Sequence, residues 1–171
     1  MLKFLRSDNA KEYFSTTFSD FMTQHGMIHE SSCPYAPQQN GVAERKNRHL
    51  LEVTRSMLFE MKVPKTFWSD AVLTACYLIN RMPSSVLRGG IPFSILFPNQ
   101  PLFALPPRVF GCVCFVRDHR PGVSKLDPKA IKCIFLGYSR TQKGYYCYSP
   151  VLRKRFITAD VSFFESTSYH E

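Results

Sequence analysis

Asp8 and Glu44 are the residues whose types and spacing bear most directly on chemistry. Asp8 ends the run Leu5-Arg6-Ser7-Asp8, and Glu44 lies in Gln39-Asn40-Gly41-Val42-Ala43-Glu44-Arg45, thirty-five residues intervening. A carboxylate at a strand end and another on a helix can converge on one point. There their hard oxygen ligands can hold Mg²⁺ or Mn²⁺ and support two-metal phosphoryl transfer. Spacing alone is not specific, because the chain has thirteen acidic residues and some pair falls at any chosen separation. Two solvated surface carboxylates are the competing reading.

The elements that must position this pair are legible in the pattern. Leu2 to Leu5 is a short strand leading to Asp8. Phe14 to His25 sets Phe14, Phe18, Phe21 and Met22 at helical spacing, a packing face. Met27 to Ser31 is a second short strand, and Ser32 to Asn40, with Pro34 and Pro37, is a loop. Asn40 is placed to cap a helix from about Gly41 to Met61. Leu51, Thr54, Leu58 and Met61, widened by Leu50 and Met57, form its apolar stripe. Glu44, Arg48, Glu52 and Arg55 lie largely opposite. Glu44 and Arg48 stand one turn apart and form either an ordinary surface pair or a metal ligand beside a phosphate ligand.

Pro64 opens a further helix that runs to about Asn80. Its near-continuous apolar residues predict burial on most sides, with Trp68 as a packing residue. Residues 83–107 hold six of the twelve prolines and read as a linker. Beyond it the pattern turns to strands: Val109 to Val116, Ile131 to Tyr138, Gly144 to Tyr148 and Lys154 to Phe164. Turns are expected at Arg120-Pro121-Gly122 and Ser139 to Gly144. Short aromatic-rich strands suggest a small barrel. Tyr145, Tyr146, Tyr148 and Phe156 lie among Arg140, Lys143, Arg153, Lys154 and Arg155. Such a set either stacks on bases and holds phosphates or forms a small core with a solvated rim.

Net charge is +9, and it is uneven. Residues 1–62 carry eight Lys/Arg and seven Asp/Glu, whereas residues 63–171 carry fourteen and six. The basic excess suits a phosphate backbone and sits apart in sequence from the carboxylate pair. The six cysteines form no Cys-x-x-Cys pair and read as buried reduced thiols of a reducing compartment. His25 and His29 have helical ligand spacing, but no cysteine pair follows to complete a zinc site. No run reaches the ~20 apolar residues of a membrane span, and the first residues read as a strand rather than a targeting peptide.

Leu5-Arg6-Ser7-Asp8-Asn9, Cys33-Pro34-Tyr35-Ala36-Pro37-Gln38-Gln39-Asn40-Gly41-Val42-Ala43-Glu44-Arg45-Lys46-Asn47-Arg48, Val63-Pro64-Lys65-Thr66-Phe67-Trp68, Lys125-Leu126-Asp127-Pro128-Lys129-Ala130 and Asp160-Val161-Ser162-Phe163-Phe164-Glu165 closely resemble the integrase region of copia-type LTR-retrotransposon polyproteins. The resemblance covers nearly the whole chain. It implies an α+β organisation: residues 1–82 a partial RNase H-like α/β integrase core lacking its first strands, 83–107 a linker, 108–165 a small SH3-like β-barrel and 166–171 a tail. It makes Asp8 the second Asp and Glu44 the Glu of a D,D,E triad, with Mg²⁺ or Mn²⁺ as cofactor. It assigns Asn9, Gln39, Asn40, Arg45 and Arg48 to nucleic acid; Arg153, Lys154 and Arg155 join them as the cations of the β module.

Two departures matter. No acidic residue precedes Asp8 in this chain, so the first Asp of the triad is absent. The expected state is a fragment of an integrase that binds metal weakly and is inactive alone. The family's Gly-Gly after the Asn is Ala10-Lys11 here, which strains the loop if that turn needs a left-handed residue. DNA, the rest of a polyprotein or another integrase chain are the implied partners, in the nucleus, with no membrane. The alternatives are a non-catalytic nucleic-acid-binding module and a non-functional transposon remnant.

Overall fold

The computed structural model describes residues 3–33, 37–118 and 129–169. The turn expected at Arg120-Pro121-Gly122, the motif at Lys125 to Pro128 and the first strand residue Leu2 lie outside them. The chain gathers into two compact units, residues 1–49 and 50–171, divided within one helix.

The first unit is built on two parallel strands, β1 (Phe4–Ser7) and β2 (Ile28–Ser31), paired from Phe4↔Ile28 to Ser7↔Ser31. Parallel strands need a crossover, here a 3-10 turn (Lys11–Phe14) and helix α1 (Thr16–Gln24). Ser15 caps α1 by accepting the Phe18 N–H at 3.3 Å. The rings of Tyr13, Phe14 and Phe18 gather around His29 of β2, with centroids 5.4–6.2 Å away. Only Met22 of α1 is buried. Phe14 (57% exposed) and Phe21 (49%) were expected to pack and stay largely open to solvent, their ring contacts being with His29 and His25, because two four-residue strands offer little surface to cover them. On the opposite face of the strand pair Arg6 bonds Glu30 at 2.8 Å.

Helix α2 (Gly41–Glu60) follows a 3-10 turn at Pro37–Asn40 and matches the expected helix to one residue. From Leu50 onward it belongs to the second unit, with α3 (Trp68–Ile79), α4 (Pro92–Leu96) and a five-stranded antiparallel sheet. The strands are β3 (Cys112–Arg117), β4 (Ala130–Tyr138), β5 (Tyr145–Ser149), β6 (Lys154–Thr158) and β7 (Val161–Ser168), in the order β6-β5-β4-β3-β7. The expected single strand Lys154 to Phe164 is therefore two. Only Ala159 and Asp160 join β6 to β7, yet these strands occupy opposite edges. The sheet must curl so that its edges approach, the geometry of a small open barrel. The β4–β5 turn falls where expected, with Ser139 N–H donating to the Gly144 carbonyl at 2.9 Å.

The core of this unit mixes sheet and helix residues: Met61, Val63 and Ala71 pack with Phe110, Cys112, Cys114, Ile134, Phe135, Leu136 and Cys147. α3 lies on β4, where Thr74 Oγ1 is within hydrogen-bond reach of the Asp70 (2.9 Å) and Leu136 (3.2 Å) carbonyls. Only one face of α3 is buried; Trp68 is 59% and Leu73 50% exposed, against the expectation of burial on most sides. The Ser168 hydroxyl of β7 donates to the Met61 carbonyl at the end of α2 (2.7 Å). Residues 83–107 are held to this unit rather than trailing from it. The Arg81 guanidinium lies between the Tyr77 and Phe93 rings, 3.7 and 3.9 Å from their centres, and its Nε donates to the Leu102 carbonyl. Cys112, Cys114, Cys133 and Cys147 are buried thiols as expected, and burial pushes Cys112 and Cys133 up to about 12. Cys33 and Cys76 are exposed, against expectation. No helix among the described residues is long and apolar enough to cross a membrane.

Candidate metal and nucleic-acid site

Asp8 directly follows β1, at the carboxyl end of the parallel pair, where ligands gather in open α/β sheets. Its side chain is exposed, and Oδ1 accepts the Ala10 N–H at 3.1 Å. Ala10 has φ −66° and ψ 135°, ordinary extended backbone. The turn therefore needs no left-handed residue, and the strain expected from Ala10-Lys11 is absent.

Hydrogen bonds draw the loop around Asp8 and the start of α2 together. Ser32 N–H donates to the Ser7 carbonyl (3.0 Å), Asn9 Nδ2 donates to the Ser32 carbonyl (3.0 Å) and Asn40 Nδ2 to Ser32 Oγ (3.3 Å). Gln39 Oε1 accepts the Cys33 N–H at 2.9 Å. Asn40, expected as a helix cap, directs this donor to the loop. Glu44 stands in the first turn of α2, exposed, where the helix dipole favours a carboxylate. Among the described residues no ion pair or hydrogen bond engages its side chain, so the ordinary Glu44–Arg48 pair is not formed. Arg48 is exposed, and Arg45 folds back toward Gly41. No group of three or more His, Cys, Asp or Glu side chains gathers as a metal site among the described residues. Two exposed carboxylates fit a hard divalent cation held mostly by water.

In the second unit Arg153 and Lys154 are exposed, Arg153 in the left-handed region (φ 49°). Lys154 Nζ lies 5.6 Å from the Phe156 ring centre. Arg155 is already engaged: its guanidinium bonds the Tyr146 hydroxyl and lies 3.5 Å from Asp70 Oδ2. Tyr145 is buried with its hydroxyl on the Pro106 carbonyl (3.0 Å), and Tyr148 packs on Phe67. These aromatic side chains are largely occupied within the fold. Sequence reasoning did not find Asp70, although it is the one charged residue in α3.

The Asp70 side chain is 9% exposed and its Oδ2 accepts no hydrogen bond. Burial outweighs the pull of Arg155 and holds its carboxyl above the ordinary value of 3.8. With the folded value above the unfolded one, this group's favourable contribution is complete below the unfolded value and is lost as pH rises through the folded one. Arg155→Ala removes the compensating cation and raises the carboxyl further. The substitution should cost about 1 kcal/mol at pH 7, the larger part vanishing near pH 4, in urea denaturation at both pH values. An equal cost at both would contradict the pairing.

The five strands and their order define a small SH3-like module. Residues 112–171 match the family model described as the retroviral polymerase SH3-like domain. The chain is 47% identical over 165 residues to the retrovirus-related Pol polyprotein from transposon TNT 1-94 of Nicotiana tabacum, covering 96% of this chain and 12% of that protein. It is 38% identical over 86 residues to an uncharacterized mitochondrial protein of Arabidopsis thaliana, covering 50% of this chain and 68% of that one. A solved structure of the simian T-cell lymphotropic virus intasome in complex with PP2A regulatory subunit B56 gamma aligns with a TM-score of 0.48 at 17% identity, covering 94% of this chain and 57% of that one. The chain is homologous to one stretch of the retrovirus-related Pol polyproteins of plant transposons. It spans 11–12% of the length of its plant transposon relatives.

Proposed function

We propose that these 171 residues are the part of a retrotransposon integrase that carries two metal-binding carboxylates, Asp8 and Glu44, on an RNase H-like core, followed by an SH3-like module that holds DNA. The observation that carries this reading is the set of bonds on Ser32, which tie both neighbours of Asp8 and the residue before α2 to one point. Parallel β1 and β2 joined by α1, with a carboxylate at the strand end, suit the α/β core. Divalent cations held by these carboxylates would supply Lewis acidity for attack of a water or DNA 3′-hydroxyl on a phosphodiester. Asp8 and Glu44 supply oxygen ligands; Arg48, unpaired with Glu44, faces solvent one turn on and is free for a phosphate. With two carboxylates in place of three, Mg²⁺ or Mn²⁺ binds weakly, and this chain alone leaves DNA uncut. A nuclear site of action follows from the reaction.

DNA binding without cleavage is the second reading, favoured by the excess charge of residues 63–171 and the exposure of Arg153 and Lys154. Fluorescence anisotropy with duplex DNA over a salt series tests both. Arg153→Ala with Lys154→Ala should weaken binding uniformly across sequences and lower the slope of log K against log salt by about 1 for each phosphate no longer neutralised. Asp8→Asn should leave binding intact. Loss on Asp8→Asn with no effect of the two basic substitutions would overturn the assignment of DNA to the module. Supercoiled plasmid should survive Mn²⁺, and nicking abolished by Glu44→Gln would refute the expected inactivity.

A further inference from the structure

We infer that Ser32 is the positioning residue of the carboxylate site, setting the start of α2 against the Asp8 loop; the inference rests on the reading that Asp8 and Glu44 share an ion. Ser32 is 4% exposed, and its backbone N–H, carbonyl and hydroxyl each meet a different segment. The N–H holds Ser7 at the end of β1, the carbonyl holds Asn9 in the following loop, and the hydroxyl holds Asn40 before α2. Asp8 lies between the first two, so the residues on both its sides are fixed to Ser32. Glu44 lies four residues, about one helical turn, after Asn40.

The three ties differ in what they require of residue 32. Two use its backbone, so any small residue keeps Asp8 in place. Only the tie to α2 needs the hydroxyl: alanine would leave Asn40 Nδ2 without this acceptor. The side chain therefore acts on Glu44 through Asn40 and leaves Asp8 alone. Asn9 and Asn40, which the family resemblance assigns to nucleic acid, each spend a side-chain donor on Ser32. Positioning is thus the first role of Asn40.

NMR on the full chain tests this with Ser32→Ala, Ser32→Thr and Asn40→Ala, thermal melting serving as the check on folding. In the parent protein the Asn9 and Asn40 side-chain amides should both show bonded shifts, and Mn²⁺ should broaden Asp8 and Glu44 signals at the same concentration. In Ser32→Ala the Asn40 amide should move to free positions while that of Asn9 stays. Broadening at Glu44 should then need several-fold more Mn²⁺ than at Asp8. Asn40→Ala, at a more exposed site, should separate the two residues in the same way if Ser32→Ala fails to fold. Ser32→Thr, which keeps the hydroxyl, should restore the parent behaviour. Unchanged Asn40 signals in folded Ser32→Ala, or no separation in Asn40→Ala, would overturn the inference. If Mn²⁺ broadens neither residue in the parent, the shared-ion reading falls, and with it the role in positioning a metal site, whereas the Asn40 signals still decide the tie itself.

Discussion

Residues 108–171, produced without what precedes them, do not reach a packed state. The family model begins at Cys112, yet the core beneath these strands is completed from outside that span by Met61, Val63 and Ala71. α3 lies on β4 through Thr74, Tyr77 stacks on Tyr138 with centroids 4.3 Å apart, and Phe67 packs on Tyr148. β7 ends on the Met61 carbonyl through Ser168, and Tyr145 is anchored on Pro106. Removing residues 1–107 strips all of these from a chain near the size at which a single core becomes marginal. The expected product retains strand signal in far-UV circular dichroism, has weak near-UV signal, binds ANS and melts without a cooperative transition. The full chain should melt cooperatively through this unit. A sharp transition for residues 108–171 at the temperature of the full chain would show that the helices are accessory.

Gly137→Ala is expected to be the most damaging single methyl addition on the α3–β4 contact. Gly137 has φ +121°, a conformation disfavoured for side-chain-bearing residues, and an added Cβ would lie 2.2 Å from Thr74 Oγ1. Thr74 has no easy retreat, because its hydroxyl sits between the Asp70 and Leu136 carbonyls. Backbone strain of about 1–2 kcal/mol and overpacking of about 1–3 kcal/mol act together. The sum is a large fraction of the ~5–15 kcal/mol that holds a domain folded. Urea denaturation of Gly137→Ala, Thr74→Ala and the double variant separates the parts. The double variant should recover the overpacking share and show a coupling of about 1 kcal/mol or more. Strict additivity would mean that Thr74 is not what the new methyl meets.

Much of the local structure was legible in the sequence because local periodicity sets it. The apolar stripe gave α2 to within a residue, and the Ser139 to Gly144 turn chemistry gave the β4–β5 hairpin. The parts that escaped depend on what lies opposite. Phe14, Phe21 and Trp68 are apolar and fall at helical spacing, but periodicity does not say whether anything covers them. Asp70 and Arg155 are far apart in sequence, so their pairing leaves no local mark, and Arg155 reads as one of three equivalent cations until α3 is seen against β6. The break between β6 and β7 falls at Ala159-Asp160, which lacks the Gly or Pro that announces a turn. At the candidate site, residue types marked Asp8 and Glu44, whereas Ser32 carried no sequence signal. Its importance lies in the three segments it meets, which only the fold brings together.

The central claim is that Asp8 and Glu44 act on a single cation, and Mn²⁺ titration followed by electron paramagnetic resonance tests it most directly. The parent chain should show one weak site. Asp8→Asn and Glu44→Gln should each weaken it several-fold, and the double variant should lose less than the two single losses added, since both remove ligands of the same ion. Binding that is undiminished in both single variants, or losses that add as for two separate sites, would contradict the account.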